Sequence, residues 1–212
     1  MSEVLEMVQT MLLLNDSNNI HESFLRKYLP DLVDFSPKIS NPYLIFKIQS
    51  FLEKKLNLPA IEKKFCTHPY LFLLMQAPDQ LHWLEKILGA LYCIKEIKKV
   101  IDRPKKRELL DFLGEELYSF VIKQGGLYVP FIAKINITLE QDISITTIEN
   151  TGHFLLEYLW CHQPDCLMQR FILRFDAAKI WDFRHVIDCD LQDQLLNLCR
   201  RLLRQKEKAG LC

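Results

Sequence analysis

Residues 84–127 read LEKILGALYCIKEIKKVIDRPKKRELLDFLGEELYSFVIKQGGL. Ala77-Pro78-Asp79 opens a helix before this stretch, and its apolar positions Leu84, Ile87, Leu88, Leu91, Ile94, Ile97 and Ile101 recur three or four apart. That period predicts one helix running to about Ile101. Projected at about 100° per residue, its apolar side covers over half the circumference, which predicts a largely buried helix. Glu85, Lys95, Glu96 and Lys99 fill the remaining, wet stripe. Asp102-Arg103-Pro104 breaks the ladder, because proline cannot continue a helix but can begin one. Residues 105–123 then carry Leu109, Phe112, Leu113, Leu117, Phe120 and Val121 on one side, with Glu108, Asp111 and Glu115 opposite. Gly125-Gly126 ends this second helix. The two helices are expected to form an antiparallel hairpin at the centre of a mostly α fold.

Working outward, residues 1–77 are cut by Pro30, Pro37, Pro42, Pro59 and Pro69, which suits a lobe of short helices. Asn41-Pro42 starts one of them, running through Ile45, Ile48, Phe51, Leu52 and Leu56. The organisation expected is an N-terminal helical lobe, 1–77, and a core helical region, 78–212, in one compact domain. After Pro130, Ile135, Ile137 and Leu139 alternate with polar residues and read as a strand. Phe171 to Phe175 reads as a second, so a minor two-stranded β element is expected near 133–139 and 171–175. Helices are expected from about Ser144 to Trp160 and from Asp188 to Lys208. The last has Leu191, Leu195, Leu198, Leu202 and Leu203 on its apolar side. Asn197, Arg200, Arg201, Arg204 and Lys208 lie on its polar side, and its acidic start and basic end complement the macrodipole.

The chain has 212 residues with 27 Lys plus Arg against 27 Asp plus Glu, so no global field draws it to nucleic acid or an anionic membrane. Its longest apolar runs fall well short of the roughly 20 residues a membrane span needs. Met1 to Leu14 carries Glu3 and Glu6 where a signal peptide would be positive. The seven cysteines are odd in number and scattered, which fits reduced thiols in a cytosol.

Three features of the sequence bear on chemistry. His153, Cys161, His162 and Cys166 lie close in sequence, but only Cys161 and Cys166 resemble a zinc-ligand pair, and buried thiols are the commoner reading. No local signature pairs a cysteine with a histidine for nucleophilic catalysis, and no glycine loop has phosphate-binding spacing. No catalytic centre, metal, cofactor or small-molecule substrate is therefore expected. The third reading is a dense basic cluster: Lys98, Lys99, Arg103, Lys105, Lys106 and Arg107. It reads as a solvated corner, a phosphate or nucleic-acid patch, or a docking face for an acidic partner. The absence of interleaved aromatics disfavours nucleic acid.

Within 84–127, Leu88-Gly89 leads into Lys98-Lys99-Val100-Ile101-Asp102, and Leu113-Gly114-Glu115 is followed by Tyr118 and Phe120. This pattern resembles the SctK family (also YscK or OrgA) of bacterial type III secretion systems. A weaker likeness covers Thr151-Gly152-His153-Phe154-Leu155-Leu156, Pro164 and Arg170 to Phe175. Together they span about a third of the chain. The shared residues look like packing residues, with Gly89 and Gly114 permitting close helix approach. The chain is richer in lysine than the family pattern, and residues 1–77 show no likeness.

The resemblance implies a non-enzymatic, cytoplasmic adaptor of the sorting platform. Such an adaptor bridges the inner-membrane ring protein SctD to the pod protein SctQ, which connects through SctL to the SctN ATPase. No membrane insertion and no nucleic acid are implied. The basic corner (Lys98, Lys99, Arg103, Lys105, Lys106, Arg107) and the last helix (Arg200, Arg201, Arg204) are the candidate partner faces. A cytosolic secretion chaperone or regulatory protein-binding module is the alternative, followed by an enzyme with a dispersed Cys/His site.

Overall fold

The computed structural model describes residues 23, 26, 27, 47, 50, 51, 54–59, 61–137 and 143–209. Among them the chain is mostly α-helical and contains no strand. The helices are α1 Leu71–Leu74, α2 Pro78–Tyr92, α3 Ile94–Lys99, α4 Arg103–Leu113, α5 Glu115–Gln124, α6 Val129–Ile132, α7 Ile145–Trp160, α8 Asp165–Ile172 and α9 Cys189–Ala209. The helix expected from Asn41 lies mostly outside the described residues, although Lys47, Ser50, Phe51, Lys54 and Lys55 are helical. Two compact units emerge: residues 1–81 with 162–181, and residues 82–161 with 182–212.

In the first unit α8 packs against α1. The buried Arg170 donates to the carbonyls of Pro59 (2.8 Å) and Cys166 (2.9 Å). Phe171, Phe175 and Trp181 form a trio of edge contacts with centroids 4.8–5.4 Å apart. The strand expected at 171–175 is corrected here: Phe171 and Ile172 end α8, and the chain then turns. The short apolar run misled because Phe171, Leu173, Arg174 and Phe175 are all buried. A turn enclosed by its own unit leaves no polar face to set the true period.

In the second unit both helices of the expected hairpin are broken, and the second folds back on itself, α5 packing against α4. The first arm breaks at Cys93, which sits outside helical geometry (φ −82°, ψ 7°) between α2 and α3. The second breaks at Gly114, whose φ of +79° suits glycine. Lys86 in the middle of α2 lies over the Phe112 ring at the end of α4 (4.6 Å), α5 packs against α3, and Gly125 after α5 lies against Leu91 and Ile94. Leu84, Ile87, Leu88, Leu91, Ile94 and Ile97 are all buried, as are Leu109, Leu113, Leu117 and Val121. Two expectations fail. Ile101 is 92% exposed, because α3 stops at Lys99 and Val100 turns extended (φ −69°, ψ 103°). Glu85, assigned to the wet stripe, is 3% exposed.

The burial of Glu85 follows from a helix crossing. A Cβ on Gly89 would strike the carbonyl oxygen of Ile148, and one on Gly152 would strike that of Glu85. Helices α2 and α7 thus meet backbone to backbone, glycine on each side. Gly89 has the close-approach role expected of it, toward α7. Gly114 does not, since nothing lies within 4 Å of its would-be Cβ. Its role is the left-handed break.

The strand expected at 133–139 is also absent over its described part, 133–137. The Tyr92 hydroxyl replaces a partner strand: it donates to the Ile135 carbonyl (2.8 Å) and accepts from the Ile137 amide (2.9 Å). Helix α7 is capped by Ser144, whose hydroxyl accepts from the Thr147 amide (3.1 Å). At its other end Gln192 of α9, buried, donates to the carbonyls of Leu159 (2.8 Å) and Cys161 (3.0 Å). That one side chain satisfies helix-end acceptors that have no partner within α7. Helix α9 itself starts at Asp188, whose carboxylate accepts from the amides of Asp190 (2.9 Å) and Leu191 (3.3 Å).

Candidate functional site

Two charged regions compete for attention in the second unit. The first is the corner between α3 and α4. Lys98, Lys99, Arg103, Lys105, Lys106 and Arg107 are all exposed, and Ile101 stands uncovered among them. Proline near the start of α4 and the extended Val100 make the corner sharp. Lys99 reaches Glu96 at 3.8 Å, an exposed pair worth well under about 1 kcal/mol. The net charge of the corner therefore stays strongly positive.

The arginines of α9 lie on a different element from this corner. Arg201 and Arg204 are exposed, and Arg200 is half-buried. Arg201 stacks toward Phe131 of α6 (5.7 Å), and Lys206 sits over Trp83 (5.1 Å). Part of the polar face of α9 thus already covers its own unit.

The second region was not anticipated. At the α2–α7 crossing, His153 stands between two buried carboxylates: Nδ1 is 3.4 Å from Glu85 Oε1 and Nε2 is 3.3 Å from Glu157 Oε1. His82 approaches the other Glu85 oxygen at 3.6 Å. His185 approaches the other Glu157 oxygen at 3.2 Å. The result is a chain, His82–Glu85–His153–Glu157–His185, that runs from an exposed imidazole through the crossing to a half-buried one.

Glu157 also accepts from the Asp182 amide (2.5 Å). Burial alone would raise its carboxyl; the contacts from His153, the Asp182 amide and His185 outweigh it and leave the carboxyl below its ordinary 4.5. Asp182 lies at the surface, where Arg184 holds it down to about 2. Local signals for this chain existed as His82-x-x-Glu85 and His153-x-x-x-Glu157, each one turn apart. Nothing in the linear order joins 85 to 153 or 157 to 185.

His185 and Phe154, their rings in tilted contact with centroids 4.6 Å apart, lie on one wall of an open cleft of about 400 Å³. Ile135, Tyr158, Val186, Ile187 and Leu191 line it, with Lys134, Asn136 and Asp188 at its polar positions.

The zinc candidates separate. Among the described residues no three His, Cys, Asp or Glu side chains converge to hold a metal ion. Cys161 ends α7, and His162 follows in a left-handed turn (φ 59°). Cys166 is buried in α8. Burial raises the thiols of Cys161 and Cys166, pushes Cys93 up to about 11 and Cys199 to about 12. None of these four is a ready thiolate at neutral pH. Among the described residues no helix is long and apolar enough to cross a membrane. No protein family, no curated protein and no solved structure matches this chain.

Proposed function

We propose that this chain is a protein-binding adaptor, similar in role to the SctK proteins of type III secretion, that docks an acidic partner surface on the corner between α3 and α4. The observation that supports this most is the uncovered Ile101 set among six exposed cations. An apolar anchor ringed by like charge suits a partner with an apolar hollow and an acidic rim. The anchor supplies affinity, and the charges supply orientation and association rate. In the same unit, the glycine crossing and the buried leucine seam make a packed support, which lowers the ordering cost of docking.

On this reading the chain works in the cytoplasm, binding SctQ-like pod protein on one face and SctD-like ring protein on another, without catalysis. The test is capture of the full chain from a cytosol containing the secretion apparatus, after in-cell crosslinking. Recovery of SctQ-like or SctD-like protein, lost with Lys105, Lys106 and Arg107 all changed to Glu or with Ile101→Asp, is the expected result. Recovery of neither partner from wild type overturns the adaptor reading. Recovery unaffected by both variants moves the docking face elsewhere. Capture of nucleic acid that falls steeply with salt would favour a phosphate-binding corner instead.

A further inference from the structure

The run before α9 is held to the fold in an unusual way. From Asp182 to Ile187 the chain carries no helix or turn, and Arg184 and Val186 stand out in water. Among the described residues no backbone–backbone hydrogen bond holds Asp182, Arg184, His185, Val186 or Ile187. Side chains of α7 hold the run instead. The Glu157 carboxylate accepts from the Asp182 amide on one oxygen (2.5 Å) and meets His185 Nε2 on the other (3.2 Å). The His185 ring lies against Phe154, and just past the run the Asp188 amide donates to the Tyr158 hydroxyl (2.8 Å). Asp182 and Arg184 pair with each other, inside the run. Both polar ties from 182–187 to α7 therefore end on one buried side chain, Glu157.

The packing beneath the run does not use this carboxylate. Helices α2 and α7 meet through Gly89 and Gly152, and Gln192 of α9 donates to the Leu159 and Cys161 carbonyls. Segments held by few contacts open at lower cost than the packed helices around them. The Cys161 thiol, buried at the end of α7, lies against this run, with the His185 backbone as a hydrogen-bond partner.

We propose that residues 182–187 form a strap latched to α7 by the Glu157 carboxylate, and that a proton on this carboxylate releases the strap while the helices stay packed. The device stands apart from the α3–α4 corner, so it holds whether or not the corner docks a partner.

The surroundings of Glu157 give the direction. It faces His153 on its own helix, and Asp182 and His185 on the run. Through His153 it is linked to Glu85 of α2, and through Glu85 to His82. Among the described residues no charged side chain of α4 or α9 reaches it by hydrogen bond or ion pair. Burial raises its carboxyl, and His153, the Asp182 amide and His185 together lower it further than burial raises it. A group lowered by folding keeps its charge above its ordinary value and loses it as pH falls through the folded value. The latch is therefore closed at neutrality and opens in acid. A protonated carboxyl no longer offers two charged oxygens to three partners.

The test is pulse labelling of the full chain with 4,4′-dithiodipyridine, which reacts with thiols in acid as well as at neutrality, followed by peptide mass spectrometry. Each reading is divided by that of the exposed Cys189, which corrects for the pH dependence of the reagent. Cys199, buried in α9, reports opening of the helices. Below about pH 4.5 the Cys161 ratio should rise by up to about tenfold per pH unit, the slope of one linked proton, while Cys199 stays closed. Glu157→Gln should raise the Cys161 ratio already at about pH 6 and flatten its slope. His185→Ala, which removes one of the two ties, should raise it less. Cys161 and Cys199 opening together overturns the proposal, because the whole unit then unfolds and no strap is released. So does a wild-type Cys161 ratio that stays flat, or one that keeps its full slope in Glu157→Gln. The two wild-type curves decide between strap and unfolding without any variant.

Discussion

The α3–α4 corner and the α2–α7 crossing are both built from charged residues on helices, yet one leaves every cation in water and the other draws two carboxylates inside. At the corner the six cations are all exposed, so burial strips none of them of water. At the crossing two carboxylates and three imidazoles alternate, and each buried group has a partner within 3.2–3.6 Å. Removing an ion from water costs several kcal/mol unless partners replace the lost hydration. Charge density therefore marks a surface, whereas a buried site is marked by complementary pairing, which neighbours in the linear chain need not reveal.

The sharpest way to break the contrast is to push the crossing apart. Gly89→Val and Gly152→Val would each force a side chain into a facing carbonyl, costing upward of about 4 kcal/mol or preventing folding. Urea denaturation measures this. Gly126→Ala, with nothing within 4 Å of the new Cβ, is the matched control and should change stability by less than about 1 kcal/mol. Next in size is Glu85→Gln, which keeps the shape and removes the charge facing His82 and His153. A loss of about 2–3 kcal/mol is expected in the same measurement, as for one partner deleted from a buried pair.

Acid should separate the two regions without mutation. The Glu157 carboxyl is lowered in the folded chain, so its contribution to stability is complete above the ordinary carboxylate value of 4.5 and is lost as pH falls through the folded value. Melting temperature followed downward from pH 6 should drop in that window. Glu157→Gln should flatten its share of the drop. The smallest effect belongs to the corner. The triple reversal of Lys105, Lys106 and Arg107 should shift stability by no more than about 0.5 kcal/mol per residue in urea melts, because these side chains are exposed. A large loss there would show that the corner carries packing as well as charge.

Much of the fold was legible because helical period survives translation into three dimensions. Leu84, Ile87, Leu88, Leu91, Ile94 and Ile97 read as one buried stripe and are one, and Pro104 and Ser144 mark helix starts as their chemistry requires. The period was less informative where helices end. Ile101 fits the stripe in register but follows the last turn of α3, so it points to water. Alternation at 134–137 suggested a strand, while a single tyrosine hydroxyl supplies the pairing there. The basic corner could be found because its six cations are consecutive or nearly so. The histidine–glutamate chain could not, because its members come from α2, α7 and the run before α9.

Local composition was enough to establish a helical chain, its principal apolar seams and a dense patch of positive charge, since each depends on residues within a few turns of one another. Tertiary packing decided the rest. It turned Glu85 from a solvent residue into a core one, assigned Gly89 and Gly152 to opposite sides of a single contact, and opened the cleft beside His185. These outcomes depend on which backbone approaches which across a wide gap in the chain. Close approach and desolvation are properties of that approach, and residue order alone does not encode the distance.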